Sequence, residues 1–456
     1  MRYCATPSTL ELIGNTPLVR LTGFDTGPCE LFLKLESQNP GGSIKDRIGV
    51  SMIEAAEKSG RLLPGGTMVE ATAGNTGIGL ALVAAIKGYR LILVIPDKMS
   101  PEKISHAKAL GANIELTRSD VSPGHPMFYK DLAKRITAST PGAFHIDQFG
   151  NEANPAAHEK TTGPEIWEQM DHKVDAIVCG VGSGGTLTGL TGYFAAVQPQ
   201  LDFVLADPAG SALAGLVTGK ASACGSYAVE GIGSDSIPPI ADVSRVKCAY
   251  SIADRDSFGT ARELLKRTGI LAGSSSGTLL AAALRYCREQ TTPKRVVTFV
   301  CDTGAKYLSK MYNDYWMLDQ GYLERPSTGN LRELIARRYE EGAVITVMPD
   351  DTLLTAFQRM RMADVSQVPV VDQGRCVGVL DESDLLVAVH NDPHCFFSPV
   401  RTAMTSRLET VSADMNIDAV YGILDRGLVA LVTDHDAFVG LITRSDLLSH
   451  LRRKLT

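Results

Sequence analysis

The sequence lacks the features that mark a disulfide-stapled, zinc-binding or membrane protein. Its nine cysteines are scattered and none stands in a C-x-x-C pair, so neither a disulfide framework nor a zinc knuckle is supported. No apolar run reaches the roughly 18 residues that a membrane span requires. Residues 1–14 hold no apolar signal core, and the run at 77–86 ends at Lys87-Gly88. We therefore expect a soluble, reduced, cytoplasmic protein without a membrane partner.

The sequence also lacks an excess of basic charge. Lys plus Arg number 45 against 51 Asp plus Glu, which gives a formal net charge of −6. A protein that coats nucleic acid needs a basic face for phosphates, so we expect no nucleic-acid partner. With 44% apolar and 21% charged residues the composition is that of a folded chain. Its 456 residues are enough for two or three domains.

Short apolar runs alternate with helical patterns between residues 67 and 300. The runs at 91–95, 175–179, 203–206 and 295–300 each precede a turn with glycine or proline and then a segment of 3.6-residue period. This alternation predicts an α/β fold with parallel sheets covered by helices on both faces. Ligands bind such sheets beyond the carboxyl ends of the strands, so we expect the functional residues in the loops that follow these runs.

An internal repeat occupies the carboxyl-terminal part of the chain. The segment GVLDESDLL at 378–386 recurs 62 residues later as GLITRSDLL at 440–448. Each copy is too short to bury its apolar face alone, so the two copies are predicted to pack as a pair. A breaker cluster at 324–330 indicates a linker, and the charged segment 331–341 is expected to form a connecting helix. The predicted domains are 1–322, a linker at 323–341, and the repeats at 342–396 and 397–456.

The first loop that could carry chemistry is PGGSIKDR at 40–47. Ser43 and Asp46 fit a capping box, which places Lys45 in the first turn of a helix. The partial positive charge of a helix amino terminus lowers the pKa of a nearby lysine and favours its neutral, nucleophilic amine. The glycines suggest close approach of a ligand, although an exposed lysine on a surface helix is the commoner arrangement.

Two further loops could hold anions at helix starts. EATAGNTG at 70–77 leaves backbone N–H groups free for a carboxylate, and a plain turn capped by Asn75 or Thr76 is an equal alternative. GVGSGGT at 180–186 follows a strand, opens a helix and suits a phosphate. Because this loop satisfies G-x-G-x-x-G and Asp207 stands about twenty residues on, it also fits a dinucleotide fingerprint.

The remaining polar clusters are less informative. The hydroxyls of GSSSG at 273–277 could bind a ligand or merely cap the helix that follows. His390 and His394 stand near Cys395, but Pro393 interrupts any helix that would align them, so we expect no metal site. No H-E-x-x-H, nucleophile elbow or Walker A lysine is found in the sequence.

Taken together, the loops fit a phosphorylated aldehyde cofactor, held by a lysine, beside the carboxylate of an amino acid: pyridoxal phosphate chemistry. The sequence resembles the β-family (fold type II) of pyridoxal-phosphate enzymes from about residue 10 to residue 322. The resemblance implies a tryptophan synthase β-like core with two open parallel-sheet subdomains. The motifs that carry it are NTPLV at 15–19, PGGSxKDR at 40–47, GNTG at 74–77, GSGGT at 182–186 and GSSSG at 273–277.

The resemblance implies a role for each matching residue. Lys45 would hold the cofactor as an internal aldimine and then shuttle the α-proton. Asn75 would hydrogen-bond the phenolic oxygen, and Ser275 would face the pyridine nitrogen. The phosphate would be bound by Gly182, Ser183, Gly184, Gly185 and Thr186. The substrate carboxylate would be bound by Thr72, Gly74, Thr76 and Gln148.

Within that family the chain resembles the cystathionine β-synthases, through VEGIGSD at 229–235 and the Ile-Pro at 237–238. This implies a hydro-lyase that condenses serine with homocysteine to cystathionine and water, with hydrogen sulfide release from cysteine as a side activity. Glu230 and Gly233 would line the entrance for the second substrate. Phe149, where many relatives have Tyr, and Ser234, at a variable position, leave the choice of that substrate open.

The repeat resembles a tandem of CBS domains with βαββα topology. The family's G-x-x-T-x-x-D signature is intact at Thr443 and Asp446, whereas the first copy has Asp381 in place of Thr. An adenosyl ligand such as S-adenosylmethionine is therefore expected at the second copy. The resemblance also implies a homodimer or a higher homo-oligomer. Since the match begins near residue 10 and Cys4 alone is no evidence for a ligand, no haem is expected.

Three alternatives remain open. A cysteine synthase with appended regulatory domains would use O-acetylserine and sulfide, although Glu230 stands where cysteine synthases usually have Gln. The fingerprint at 180–185 with Asp207 fits a nicotinamide-dependent dehydrogenase. A non-catalytic adenylate sensor would keep only the repeat in use.

Overall fold

The computed structural model describes residues 6–72, 74–219, 224–325 and 329–453, so Cys4 lies outside the described residues. The chain divides into two compact units, Met1–Asn313 and Asp314–Thr456. In chain order the strands are β1 (Leu18–Arg20), β2 (Glu30–Lys34), β3 (Thr67–Ala71), β4 (Arg90–Pro96), β5 (Asn113–Thr117), β6 (Ala143–His145), β7 (Ala176–Cys179), β8 (Asp202–Pro208), β9 (Val246–Ile252), β10 (Arg295–Phe299), β11 (Gln367–Asp372), β12 (Arg375–Asp381), β13 (Thr410–Ser412), β14 (Ala430–Asp434) and β15 (Ala437–Ile442).

The helices complete the two units. A π-helical turn, His158–Thr162, joins α5 to α6 in the list below. Among the residues described, none of the helices combines the length and the apolar character that crossing a membrane needs. In chain order the α-helices are α1 (Lys45–Lys58), α2 (Asn75–Lys87), α3 (Pro101–Ala109), α4 (Tyr129–Ser139), α5 (Ala153–Ala157), α6 (Gly163–Gln169), α7 (Gly185–Val197), α8 (Leu213–Thr218), α9 (Asp254–Thr268), α10 (Ser274–Arg288), α11 (Asp314–Asp319), α12 (Leu353–Ala363), α13 (Glu382–Asn391), α14 (Asp418–Asp425) and α15 (Arg444–Arg453).

The first unit contains two sheets. The smaller is parallel throughout, in the order β5-β4-β3-β6, and the larger runs β1-β2-β10-β7-β8-β9 with only the edge strand β1 antiparallel. Every residue of β3, β7 and β8 is buried, as expected for parallel strands that helices cover on both faces. This confirms the predicted fold class of a core with two parallel-sheet subdomains.

The loops with candidate functional residues follow the carboxyl ends of these strands. α2 begins after β3, α7 begins after β7, and residues 301–302 follow β10. Gly74 and Gly184, which immediately precede α2 and α7, have φ angles of 133° and 95°, a region that side chains with a Cβ rarely adopt. The glycines therefore allow the sharp strand-to-helix turns that bring backbone N–H groups to one edge of each sheet.

The second unit contains α11, the segment 331–341 and two repeats with the predicted βαββα order. In the second repeat β13, α14, β14, β15 and α15 follow in that order, whereas in the first repeat a single bridge, Val347 to Val370, takes the place of the opening strand. The register shifts between Val370 and Val371 in one copy and between Val432 and Thr433 in the other. These bulges lie 62 residues apart, which matches the repeat seen in the sequence.

The segment 331–341 does not form the expected connecting helix. Only Leu331–Glu333 is helical, as a short 3₁₀ turn. The apolar side chains of Leu331, Leu334 and Ile335 are buried in the core of the second repeat together with Val432 and Ile442. The path of the segment is therefore set by burial of these three side chains and not by helix propensity.

Candidate active site

Lys45 lies in the first turn of α1, as predicted, but the capping box is wrong. The residue before the helix is Ile44, and the Ser43 hydroxyl accepts from the Lys45 backbone N–H at 3.2 Å. The Asp46 carboxylate turns instead to the Gly41 N–H at 2.5 Å, which closes the glycine loop on itself. The loop geometry therefore comes from Asp46 and the glycines.

The environment of the Lys45 amine favours its neutral, nucleophilic form. Burial lowers its pKa, against the opposing effect of Cys301 and Asp302, while the charge of Lys103 lowers the pKa further. Sequence reasoning assigned this shift to the helix amino terminus, whereas removal of the amine from water is the main cause. A neutral amine at this position can attack a carbonyl carbon or accept a proton.

At the start of α2, just after β3, Thr76 is hydrogen-bonded to Gln148. The Thr76 hydroxyl donates to Oε1 of Gln148 at 2.7 Å, and Nε2 of Gln148 donates to Glu70 and to the Ala71 carbonyl oxygen. Burial raises the pKa of Glu70 to about 8, so this carboxyl is neutral at pH 7 and adds no negative charge to the loop. The Thr72 hydroxyl accepts from the Gly74 N–H at 3.0 Å, while Ala73 lies outside the described residues. The structure thus brings together the residues predicted to hold a carboxylate.

The 182–186 turn packs so closely that its glycines cannot be replaced. A Cβ at Gly182 would collide with the Gly231 carbonyl oxygen, and one at Gly185 with the Asn154 side chain. Gly233 donates its N–H to the Val181 carbonyl oxygen at 2.8 Å, so the 231–233 loop lies directly against the turn. The turn opens the thirteen-residue helix α7, whose free N–H groups suit an anion.

Two residues that sequence reasoning missed support this turn. Asn154 donates to the Ser183 hydroxyl at 3.0 Å. His158 contacts the Thr186 hydroxyl at 3.2 Å through Nε2 and the Thr162 hydroxyl at 2.9 Å through Nδ1. Burial, with the charges of Arg47 and Lys45, lowers the pKa of His158 to about 3, so the ring is neutral. Neither residue carries a local sequence signal, because both reach the turn from the α5–α6 region.

Ser275 lies in the first turn of α10 beside Cys301. Burial raises the pKa of the Cys301 thiol to about 12, so this neighbour of the Ser275 hydroxyl is neutral. Its neighbours have local structural roles: the Ser274 hydroxyl accepts from the Glu230 N–H and the Ser276 hydroxyl accepts from the Cys301 N–H. Of the three serines, Ser275 is therefore the one whose hydroxyl is not needed to hold a loop backbone.

Glu230 is held between two lysines. Its carboxylate accepts from Ser100, from Lys103 and from Lys310, all within 2.8 Å. Burial pushes the pKa of Glu230 up, but the two ammonium groups outweigh it and lower the pKa overall. Lys103 also donates to Tyr307, whose hydroxyl donates to Asp302, so Glu230 is joined by hydrogen bonds to the neighbourhood of Lys45.

Asp207 does not have the solvent-accessible carboxylate that a dinucleotide site needs. It is 1% exposed and accepts from the Ala214 N–H, in the first turn of α8, at 2.8 Å. The fingerprint therefore ends in a helix cap, and the dehydrogenase alternative loses its ribose-binding residue.

At Phe149, the Lys130 amine lies 3.6 Å from the ring centroid, a cation–π contact that a family tyrosine could also make.

In the second unit, Thr443 and Asp446 are hydrogen-bonded to each other. The Thr443 N–H and hydroxyl both donate to Oδ2 of Asp446, at 2.8 and 2.6 Å. In the first repeat Asp381 and Asp384 form the corresponding capping box. One copy therefore presents a hydroxyl and a carboxylate at the helix start, and the other presents two carboxylates.

Comparisons with known proteins agree with this division. The family model described as "Pyridoxal-phosphate dependent enzyme" matches residues 9–302, and the "CBS domain" model matches residues 336–391 and 400–453. The chain is 35% identical to cystathionine beta-synthase of Dictyostelium discoideum over 459 residues, which cover 97% of this chain and 92% of that protein.

Two shorter proteins resemble the first unit. Cysteine synthase A of Escherichia coli K12 is 43% identical over 302 residues, 65% of this chain and 92% of that protein. The solved structure of an O-acetylserine dependent cystathionine beta-synthase from Helicobacter pylori aligns with a TM-score of 0.63 and 35% identity, over 68% of this chain and 99% of that chain. Similarity that includes the repeats is therefore found with the first relative and not with these two.

Proposed function

Because the chain belongs to the cystathionine beta-synthase family of pyridoxal-phosphate-dependent enzymes, we propose that it condenses L-serine with L-homocysteine to L-cystathionine and water. The observation that carries the proposal is the similarity to a cystathionine beta-synthase over both units of the chain. The enzyme is a lyase, and its cofactor is pyridoxal phosphate.

The residues of the first unit fit this cofactor. The crowded glycine turn at 182–186 suits the phosphate, Lys45 suits the aldehyde carbon, and the neutral hydroxyl of Ser275 suits an unprotonated pyridine nitrogen. When bound, the cofactor supplies an electron sink for the α-carbon of the amino acid. A neutral partner at the pyridine nitrogen moderates that sink, which favours departure of a β-substituent over reactions that need a long-lived carbanion.

The chain's own groups perform the remaining steps. Thr72, Thr76 and Gln148 bind and orient the substrate carboxylate, and Lys45 Nζ removes the α-proton and later returns it. The bond from the serine β-carbon to its hydroxyl breaks, and the homocysteine sulfur forms the new bond to that carbon. The proton that the thiol gives up balances the one with which the hydroxyl leaves as water. Glu230 and Gly233 line the path by which the second substrate enters. Cysteine in place of serine would release hydrogen sulfide by the same route.

A second candidate is a cysteine synthase that uses O-acetylserine and sulfide. It is favoured by the 43% identity to the Escherichia coli cysteine synthase, which extends over 302 residues or 65% of this chain. Lys45, Asn75 and the 182–186 turn, which suit the cofactor, would serve both reactions equally. The leaving group and the nucleophile distinguish the two candidates.

The test is product analysis by mass on the full chain loaded with pyridoxal phosphate. Serine, O-acetylserine or cysteine is combined with homocysteine or sulfide, and a Lys45→Ala variant serves as the control. We expect cystathionine from serine and homocysteine. Cysteine from O-acetylserine and sulfide, with no cystathionine from any pair, would move the assignment to a cysteine synthase.

The repeats supply the regulatory part of the proposal. An adenosyl ligand such as S-adenosylmethionine binds the second copy, where Thr443 offers a hydroxyl and Asp446 a carboxylate to a ribose. The chain acts as a homodimer or a higher homo-oligomer. It acts in the cytoplasm, which suits a protein whose cysteines are free in the described residues.

A further inference from the structure

Lys306 is a buried lysine to which neither the sequence motifs nor the proposed reaction assigns a role. It is 4% exposed and lies in the short 3₁₀ helix Gly304–Tyr307 after β10. Its ammonium donates to Oδ1 of Asn75 at 2.9 Å and to the carbonyl oxygens of Gly41 and Gly42 at 2.8 and 3.2 Å. The three N–H donors of an ammonium group thus meet three acceptors.

The contacts of Asn75 fix the orientation of its amide. Lys306 can only donate, so the atom facing it must be Oδ1, while Asp302 can only accept when ionised, so the atom 2.7 Å from it must be Nδ2. Asp302 is itself held by the Tyr307 hydroxyl at 2.7 Å. Asp302 fits there because residue 273 is a glycine. A Cβ at Gly273 would collide with Oδ1 of Asp302. A donor on one side and an acceptor on the other leave the amide one stable orientation.

This orientation matters for the second hydrogen of the amide nitrogen. Within the described residues, Asp302 is the only acceptor for Nδ2 of Asn75, so the remaining N–H is available to a bound group. An amide turned by 180° would put an oxygen there, which would repel the phenolic oxygen of a cofactor.

Resting on the proposed function, we infer that Lys306 is a positioning residue, which holds the Asn75 amide with one N–H directed at the phenolic oxygen of pyridoxal phosphate. Through Gly41 and Gly42 the same ammonium anchors the loop that leads into Lys45. The Lys306 ammonium therefore fixes both the orientation of the Asn75 amide and the position of the loop before Lys45. Burial lowers the pKa of Lys306 to about 8, against the opposing effect of Asp302 and Asp46, so the group is still charged at neutral pH.

The test measures how far the phenolic oxygen of the bound cofactor is protonated. The visible and near-ultraviolet absorption bands of the bound cofactor report the deprotonated and protonated forms of that oxygen, and their ratio needs no turnover. In Lys306→Met the amide loses its donor, so we expect the visible band to fall relative to the near-ultraviolet band by roughly three- to tenfold. Lys306→Arg keeps a donor and should restore most of the ratio.

Two controls separate positioning from general loosening. Lys294→Met removes another partly buried lysine, which pairs with Asp202 away from the site, and should leave the ratio unchanged. In an Asn75→Ala background Lys306→Met should change the ratio far less than in the parent, because its effect on the phenolic oxygen passes through that amide, although its contacts with Gly41 and Gly42 are lost in both backgrounds. An equal change in both backgrounds, or no change in Lys306→Met, overturns the inference. Absence of the cofactor bands in the parent protein overturns the proposed function and the inference with it.

Discussion

The two units of the chain differ in where they place charge. In the first unit several ionisable side chains are almost completely buried, and they are paired with one another or with backbone groups. In the described part of the second unit, no Asp, Glu, Lys or Arg is buried to that extent, and the core is apolar. The Asp, Glu, Lys and Arg residues of the first unit with 1% exposure or less are Lys34, Glu36, Asp46, Glu70, Lys103, Asp207 and Asp302.

The difference shows which unit needs atoms at fixed positions. A buried charge destabilises a fold unless it is paired, so its presence indicates a constraint other than stability. In the first unit, the charges of Asp302, Glu36 and Lys103 lie close enough to Lys45 to act on the pKa of its amine. The repeats bury apolar side chains and keep their ion pairs at the surface, as in Arg401 with Asp350, whose side chains are 56% and 72% exposed. Substitutions of charge should therefore be costly in one unit and tolerated in the other.

The largest effect is expected from Lys45→Ala, which removes the nucleophile from the most constrained region. We expect turnover to fall by roughly 10³-fold or more and the visible absorption of the bound cofactor to disappear. Lys58→Ala, at the exposed end of the same helix, is the matched control and should keep both. Retention of the visible band in Lys45→Ala would contradict the assignment.

Next in size is Arg47→Met, which tests the buried charges directly. Arg47 bonds Glu36 at 2.8 Å and Glu165 at 2.7 Å, and its loss leaves an unpaired carboxylate in the core. We expect a loss of about 3–5 kcal/mol in the free energy of unfolding of the first unit. Arg401→Met, which breaks the exposed pair in the second unit, should change its unfolding midpoint little.

The chain offers separate reporters for this comparison. Its two tryptophans are Trp167 in the first unit and Trp316 in the second. Urea unfolding of Arg47→Met is followed by fluorescence in a Trp316→Phe background, and that of Arg401→Met in a Trp167→Phe background. Similar shifts in the two midpoints would remove the contrast between the units.

A smaller effect is expected from acid. Burial raises the pKa of Glu165, but Arg47 and Lys34 outweigh it and lower the pKa from 4.5 to about 2. Because the folded value lies below the ordinary one, the ionised group stabilises the fold above about pH 4.5, and this contribution is lost as the pH falls towards 2. The urea midpoint of the first unit should therefore fall with acid, and in Glu165→Gln it should fall less steeply.

Glu70, in the same unit, should change stability with pH in the opposite direction to Glu165. Burial raises its pKa to about 8, so its proton is retained in the folded state and lost earlier in the unfolded chain. Its contribution to stability therefore falls as the pH rises from about 4.5 to about 8. A Glu70→Gln variant should lose less stability than the parent over that range. Equal slopes in the two proteins would show that Glu70 is ionised when folded.

Sequence patterns predicted what depends on periodicity and on single turns. The alternation of apolar runs with helical segments gave the parallel sheets, and the motif around Lys45 placed it in the first turn of a helix. The 62-residue repeat reappears as the spacing of the bulges at Val370 and Val432. Each of these features is visible as a short pattern, or as the recurrence of one, in the sequence itself, so no knowledge of distant contacts is needed.

The network around Asp302 and Lys306 could not be predicted in this way. Its members come from the loop before α1, the start of α2 and the segment after β10, which are far apart in the sequence. In sequence, residues 302–310 look like an ordinary polar turn. Contacts that no local pattern encodes also explain two wrong predictions. Asp46 accepts from the Gly41 N–H and forms no capping box with Ser43, and the segment 331–341 forms no connecting helix because its apolar side chains are buried in a core.

The smallest effect compares the two repeats with each other. Asp381 precedes α13 and Thr443 precedes α15 at corresponding positions, and both residue types cap helices well, so exchanging them should keep each fold. Thr443→Asp adds a carboxylate beside Asp446 and should weaken binding of adenosine monophosphate to the full chain by roughly tenfold, as measured by calorimetry. Asp381→Thr removes such a carboxylate and should create weak binding at the first repeat. If the exchange leaves both affinities unchanged, these helix starts do not contact the ligand, and the difference in charge between the repeats has no bearing on which of them binds.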